Sequence, residues 1–173
     1  ASDLSWKINF ANKSTALKPT SGQVLLSGAN VSSFDSEKLA EYRGNKIGYL
    51  FQDFALLDNL TGRENILLPL SIHNVDISAA EKKLNDIAGL FGITDVLSKF
   101  PAQMSGGQKQ RINIARGFYK NAPYLLLDNC FSALDAITVD KMLQVLQSTK
   151  DKTILCISQR LEVIKHADRI IVF

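Results

Sequence analysis

Met104-Ser105-Gly106-Gly107-Gln108-Lys109-Gln110-Arg111 leads, twelve residues after Arg111, into Pro123-Tyr124-Leu125-Leu126-Leu127-Asp128. The first stretch places a serine and two glycines at the mouth of a helix predicted over Ser105 to Asn121. Glycines there leave backbone N–H groups unshielded, and the helix dipole sets partial positive charge behind them, so the pattern builds an anion site. Taken alone, a short Ser-Gly-Gly is as well explained as a glycine-rich helix cap. The second stretch reads as an apolar strand that ends in a carboxylate. Such near-continuous apolar strands belong to buried parallel sheets. An aspartate at the tip of one is placed to hold Mg2+, directly or through water, or merely to cap the strand. Ser132-Ala133-Leu134-Asp135 then opens the next helix, where Ser132 or Asp135 serves as a polar cap or loop anchor.

Outward from this centre, strand-like runs alternate with helical patterns, which predicts an α/β core. The strands are expected at Leu4 to Phe10, Gln23 to Ser27, Lys46 to Phe51, Tyr124 to Leu127, Thr153 to Ile157 and Arg169 to Phe173. Leu84, Ile87, Ala88 and Phe91 fall at helical spacing, and so do Val139, Met142, Leu143 and Leu146. The stretch from Leu60 to Phe100 is mostly helical with no strand signal, and reads as a small subdomain inserted between strands of the core. One domain over 1–173 is expected, with its core at roughly 1–52 and 101–173 and the helical part at roughly 53–100.

Composition narrows the function. Hydrophobic residues make up 46% and charged residues 21% of the 173, as in a soluble globular protein. A formal charge of +3 with scattered basic residues does not point to nucleic acid as a partner. The two cysteines, Cys130 and Cys156, sit in apolar stretches and read as buried free thiols rather than a disulfide or metal site. No apolar run approaches the roughly 20 residues of a membrane helix, and the start has no signal-peptide pattern. Work at a membrane would need a separate spanning partner or further chain.

Together these residues resemble the ABC (ATP-binding cassette) ATPase family. The family signature Leu-Ser-Gly-Gly-Gln is matched by Met104 to Gln108, and its Walker B strand and D-loop by Tyr124–Asp128 and Ser132–Asp135. Ile47-Gly48-Tyr49-Leu50-Phe51-Gln52-Asp53 looks like its Q-loop. Lys18-Pro19-Thr20-Ser21-Gly22-Gln23-Val24 resembles the turn and strand before it. Ile157-Ser158-Gln159-Arg160 stands where the family has a switch histidine, and His166-Ala167-Asp168-Arg169-Ile170 resembles the entry to a late strand. The resemblance implies an ABC-type P-loop ATPase fold with a parallel central sheet, an N-terminal antiparallel β part and an inserted helical subdomain. It implies ATP and Mg2+ as cofactors. Asp128 and Gln52 would be on the metal side, and Gln52, Asn129 and Gln159 at the catalytic positions. Ser105, Gly106, Gly107, Gln108 and Asp135 would face nucleotide held by a second ABC domain, identical or not. Phe51 to Leu57 and Leu60 to Leu70 look like the lipoprotein-release, macrolide-export and antimicrobial-peptide-export branch. That implies export of a peptide, lipoprotein or drug-like substrate through a separate permease, from the cytoplasmic face of the membrane. A non-hydrolysing regulatory domain is the alternative. A DNA-associated ATPase ranks lower, because Asp53 to Met104 holds no heptad run.

The departures from the family pattern are specific. No Gly-x-x-x-x-Gly-Lys-Ser/Thr motif is present, although Asn12-Lys13-Ser14-Thr15 superficially resembles its end. The flanking segments parse best if the P-loop, its strand and its helix are missing between Lys13 and Ser14, which makes Lys13 an ordinary surface lysine. Asn129 stands where the family has a glutamate, Cys130 where it has a proline, and Gln159 where it has a histidine. Turnover is therefore expected to be weak, as in the degenerate half of an asymmetric pair. Trp6 is expected in the core rather than on adenine. The chain stops at Phe173, before the family's usual C-terminal helices.

Overall fold

The computed structural model describes residues 22–50, 52–70, 77–149 and 151–172. The expected strand at Leu4 to Phe10, Trp6, and the Lys13–Ser14 junction lie outside the described residues. The chain divides into two compact units, Ala1–Asn45 and Lys46–Phe173.

In the first unit, β1 (Leu25–Leu26) and β2 (Ala29–Asn30) form a minimal antiparallel hairpin. Its turn is Ser27-Gly28, both at positive φ (48° and 78°), which suits the twist of a two-residue hairpin. The ends are tied by Val31 N–H to the Val24 carbonyl at 2.9 Å and by Val24 N–H to Ser32 Oγ at 2.9 Å. The helix α1 (Ser36–Lys46) starts where Asp35 Oδ1 accepts the Lys38 N–H at 2.8 Å. Among its residues only Leu39 is buried, so it carries no apolar stripe for the sequence to show.

The second unit is a three-stranded parallel sheet in the order β3 (Ile47–Leu50), β4 (Tyr124–Asp128), β5 (Thr153–Ile157). Ile47 pairs with Tyr124, and Tyr124 with Thr153, so the carboxyl ends of all three strands finish level. Between β3 and β4 come the helices α2 (Gly62–Leu67), α3 (Ile77–Leu90) and α4 (Gly106–Tyr119). Two more, α5 (Ala136–Ser148) and α6 (Leu161–Ile164), flank β5 in sequence. The two helical patterns read from the sequence are core faces: Leu84, Ile87, Ala88 and Phe91, and Val139, Met142, Leu143 and Leu146, are all buried in one cluster with Ile112, Ile114, Leu125 and Leu127.

Close approach between α4 and β3 depends on glycine. A Cβ on Gly117 would stand 2.6 Å from Leu50 Cδ1, and one on Gly48 would stand 2.6 Å from Leu125 Cδ2. The carboxyl end of α4 is met by cations, as the helix dipole favours. Lys83 Nζ donates to the Tyr119 carbonyl at 2.8 Å, and Lys152 Nζ to Asn121 Oδ1 at 2.6 Å and the Ala122 carbonyl at 3.3 Å.

The strand expected at Arg169 to Phe173 is not formed over its described residues, 169–172, which run without helix or strand. Ile170, Ile171 and Val172 are exposed, Val172 at 88%. An apolar run forms a strand only beside a partner edge, and among the described residues none pairs with this segment.

Candidate functional site

Three loops leave the level carboxyl ends of β3, β4 and β5 and carry Gln52, Asn129 and Gln159 respectively, with Asp128 at the end of β4 itself. The edge where parallel strands end is where open α/β sheets bind ligands. Asp128 is the last residue of β4 and is half-buried; Gln52 and Gln159 are exposed. The Tyr49 hydroxyl donates to Asp128 Oδ2 at 3.2 Å. Burial, with the Asp128 carboxylate beside it, pushes the Tyr49 phenol up to about 12, so the hydroxyl keeps its proton. Tyr49 pairs with Leu126 in register, and alternation puts Leu126 and Asp128 on one face. Strand parity therefore held the signal for this contact, which the motif reading passed over.

Asn129 adopts left-handed backbone at φ 48°, a region asparagine enters more readily than most residues. Its N–H donates to the Ile157 carbonyl at 3.0 Å, which ties the β4 loop to the end of β5. Beyond it, Cys130 is buried and Cys156 half-buried, both free. Burial pushes both thiols up, Cys156 to about 12, with Asp128 adding to the shift. Cys130 is buried as expected, while Cys156, expected buried too, packs against the core only half-buried. Asp135 caps α5: its Oδ1 accepts the Thr138 N–H at 2.9 Å and its Oδ2 the Thr138 hydroxyl at 2.7 Å. Those bonds hold its carboxyl below the ordinary aspartate range.

The Ser-Gly-Gly stretch is a helix N-terminus. Ser105 is the N-cap of α4, its Oγ accepting the Gln108 N–H at 3.3 Å while Gln108 Oε1 accepts the Ser105 N–H at 2.9 Å. This reciprocal box occupies both side chains and leaves the Gly106 and Gly107 amides at the mouth of the helix. Ser105 and Gly106 are exposed. Gly107 is half-buried, and a Cβ there would stand 3.3 Å from the Ala133 carbonyl oxygen and 3.6 Å from Leu134 Cδ2. The signature end of α4 therefore rests on the Ser132–Asp135 turn of its own chain. Gln52, Lys109 and Ser132 line one open cleft of about 400 Å³, together with Asp53 to Leu56, Asp58 and Pro101.

Two polar side chains hold the loop that runs along that cleft, and no motif marks either pairing. Arg116, on α4, donates to the carbonyls of Ala55 (2.7 Å) and Phe54 (3.2 Å) and to Asn113 Oδ1 (2.9 Å). Burial lowers its guanidinium pKa. Asn65, fully buried on α2, accepts from the Leu57 N–H at 2.8 Å and donates to the carbonyls of Leu57, Leu60 and Thr61 at 3.1, 3.0 and 3.0 Å.

Among the described residues no group of three or more His, Cys, Asp or Glu side chains is placed to hold a metal by itself. A single carboxylate at a strand tip suits Mg2+ differently. That ion keeps its waters and takes one or two protein ligands plus substrate phosphates. The Asp128 carboxylate, at the tip of β4, has the chemistry of one such ligand. No helix among the described residues is long and apolar enough to cross a membrane.

Comparison with known proteins bears on the same residues. A family model described as ABC transporter matches residues 12–132. A methionine import ATP-binding protein of Chromohalobacter salexigens is 38% identical over 168 residues, 91% of this chain and 48% of the relative. A bacitracin export ATP-binding protein of Halalkalibacterium halodurans is 36% identical over 135 residues, 78% of this chain and 53% of the relative. The chain thus spans about half the length of the curated relatives it matches. Among solved structures, the dimeric bacterial ABC transporter cassette MJ0796 superposes with a TM-score of 0.80 at 30% identity, covering 87% of this chain and 68% of that one. A dimeric post-hydrolysis state of the same cassette, bound to ADP and Pi, matches equally. One relative imports and the other exports, so the likeness carries an ATP-binding subunit and no direction of transport.

Proposed function

Because the chain belongs to the ABC transporter ATP-binding family, we propose that it is the motor domain of a transporter, binding Mg-ATP and hydrolysing it slowly. The observation that carries this is the single sheet edge at which Gln52, Asp128, Asn129 and Gln159 leave three level parallel strands, beside the capped helix mouth at Ser105 to Gly107. In this reading Asp128 and Gln52 hold the magnesium–nucleotide complex. The ion supplies charge neutralisation on the phosphates. Gly106 and Gly107 donate their amides to the γ-phosphate of ATP bound by a second ABC domain, and Asp135 lies at that junction. Gln159 can donate to a phosphate oxygen but cannot become cationic as histidine can. Asn129 can accept a hydrogen bond from water, but it cannot take its proton as a carboxylate can.

The wider setting follows the same reading. The core is 1–52 and 101–173, and the helical part at 53–100, with the cleft at Gln52 to Asp58, faces a separate permease at the cytoplasmic side of a membrane. Export of a peptide, lipoprotein or drug-like substrate is supported by the pattern of Phe51 to Leu70 and by the bacitracin-export relative. The phosphate-cradling loop belongs between Lys13 and Ser14. The test is Mg-ATP binding and turnover by the protein complete with its phosphate-cradling loop, and by its Asn129→Glu/Gln159→His variant. Binding in both, with turnover rising by about 10²- to 10⁴-fold in the double variant, is expected, the usual worth of general acid–base assistance. A chain that binds no ATP overturns the motor reading. A parent that already turns over as fast as the double variant overturns the degenerate site.

A further inference from the structure

Arg160 follows Gln159 and is half-buried between two loops of the site. Its Nη1 donates to two backbone carbonyls of the turn after β4, Phe131 at 2.8 Å and Leu134 at 2.6 Å. Its Nε lies 3.6 Å from Glu162 Oε2, which steadies the guanidinium from the α6 side. Its own N–H donates to Ser158 Oγ at 3.1 Å, so its backbone is fixed on the strand side of Gln159 as well. The turn it grips is closed by Ser132 N–H to the Asn129 carbonyl (3.2 Å) and Leu134 N–H to the Phe131 carbonyl (3.2 Å), and it leads directly into the cap Asp135. Two carbonyls converging on one cationic nitrogen make a charge-assisted clamp, stronger than neutral pairs.

We infer that Arg160 is a positioning residue that locks the loop carrying Gln159 to the Ser132–Asp135 turn, so that a displacement at Gln159 moves the turn and, through Ala133 and Leu134 against Gly107, the mouth of α4. The inference rests on the proposed function, because it takes Gln159 as the phosphate-facing residue. The clamp has a mechanical half and a functional half. Arg160→Met keeps the length of the stem and removes the donors. Arg160→Lys keeps the charge and restores donation.

Amide hydrogen exchange in the nucleotide-free chain reads the mechanical half. In Arg160→Met, exchange at Ser132 and Leu134 should quicken by about ten- to a hundredfold, the loss of hydrogen bonds to a charged group, with β4 amides unchanged and Arg160→Lys intermediate. Unchanged exchange at Leu134 overturns the clamp. A double-mutant cycle on ATP turnover, in the protein complete with its phosphate-cradling loop, reads the functional half. Gln159→His should raise kcat in the parent and lose most of that gain in the Arg160→Met background, with KM for ATP unmoved. An equal gain in both backgrounds overturns the positioning role and leaves the proposed function standing. No gain in either background instead sinks the role assigned to Gln159, and the positioning role with it.

Discussion

Residues 52–61 and residues 167–172 both run without helix or strand, yet they are held in opposite ways. The first mixes polar and apolar residues, and its backbone is gripped at 54, 55, 57, 60 and 61 by side chains of neighbouring helices. Arg116 takes the carbonyls of Phe54 and Ala55, Asn65 takes those of Leu57, Leu60 and Thr61, and Glu64 takes the N–H and hydroxyl of Thr61, each at 2.7 Å. The second ends in an apolar run, Ile170, Ile171 and Val172, that lies open to solvent. Order in an irregular segment comes from satisfied backbone groups, which need donors and acceptors projecting from neighbouring regular elements. Apolar side chains give order only when another surface removes them from water.

The contrast can be broken most directly at Asn65. Asn65→Leu keeps the branched shape but leaves the Leu57 N–H and the Leu60 carbonyl without their partner, while the Leu57 and Thr61 carbonyls keep the backbone N–H groups of residues 60 and 65. It should destabilise the second unit by about 3 kcal/mol, the cost of buried groups left unpaired, measured by urea denaturation. A loss below about 1 kcal/mol would show that water replaces the side chain and that the loop is held from elsewhere.

An intermediate effect is expected from acid. The Thr61 N–H and hydroxyl hold the exposed Glu64 carboxyl below its usual range. Its bonds therefore stabilise the loop fully above the unfolded value of about 4.3 and are lost as pH falls through the lowered folded value. An NMR titration should find Glu64 below the ordinary glutamate range. The Thr61 amide should lose exchange protection over that same fall, and the amides of 170–172 should not respond. Thr61→Val, which removes the hydroxyl, should raise the Glu64 value part of the way back.

The smallest effect belongs to the open segment. Ile171→Asp should shift stability by no more than about 0.5 kcal/mol, as at surfaces without special contacts. A loss as large as that of Asn65→Leu would mean that this run is covered after all, and the contrast between the two segments would fail.

The regular elements of the second unit were legible because each had a local signature: period two or continuous apolar residues for β3, β4 and β5, helical spacing for α3 and α5, and the Ser-Gly-Gly mouth for α4. The helix α1 escaped because it buries Leu39 alone, and the cap at Asp35 is a weak cue without a stripe behind it. Arg169 to Phe173 misled for the converse reason: the composition suits a strand, but pairing is a property of the neighbour. At the site, the positions themselves followed from motif spacing. Of the groups that steady them, Tyr49 left only strand parity, while Arg116 and Arg160 left nothing, since a single hydrogen bond across 61 or 26 residues leaves no periodic trace. The half-burial of Gly107 against Ala133 was equally invisible, being set by how a turn folds back on a helix mouth.

The left-handed backbone of Asn129 bears on history as well as chemistry. A side chain such as glutamate lacks asparagine's ease in that conformation, where residues with an ordinary Cβ are disfavoured by roughly 1–2 kcal/mol. A glutamate here would thus trade conformational comfort for a proton acceptor. In the slow-turnover reading, drift away from a carboxylate runs downhill in backbone strain, and drift back is opposed even where a faster site would serve, so the turn would act as a ratchet.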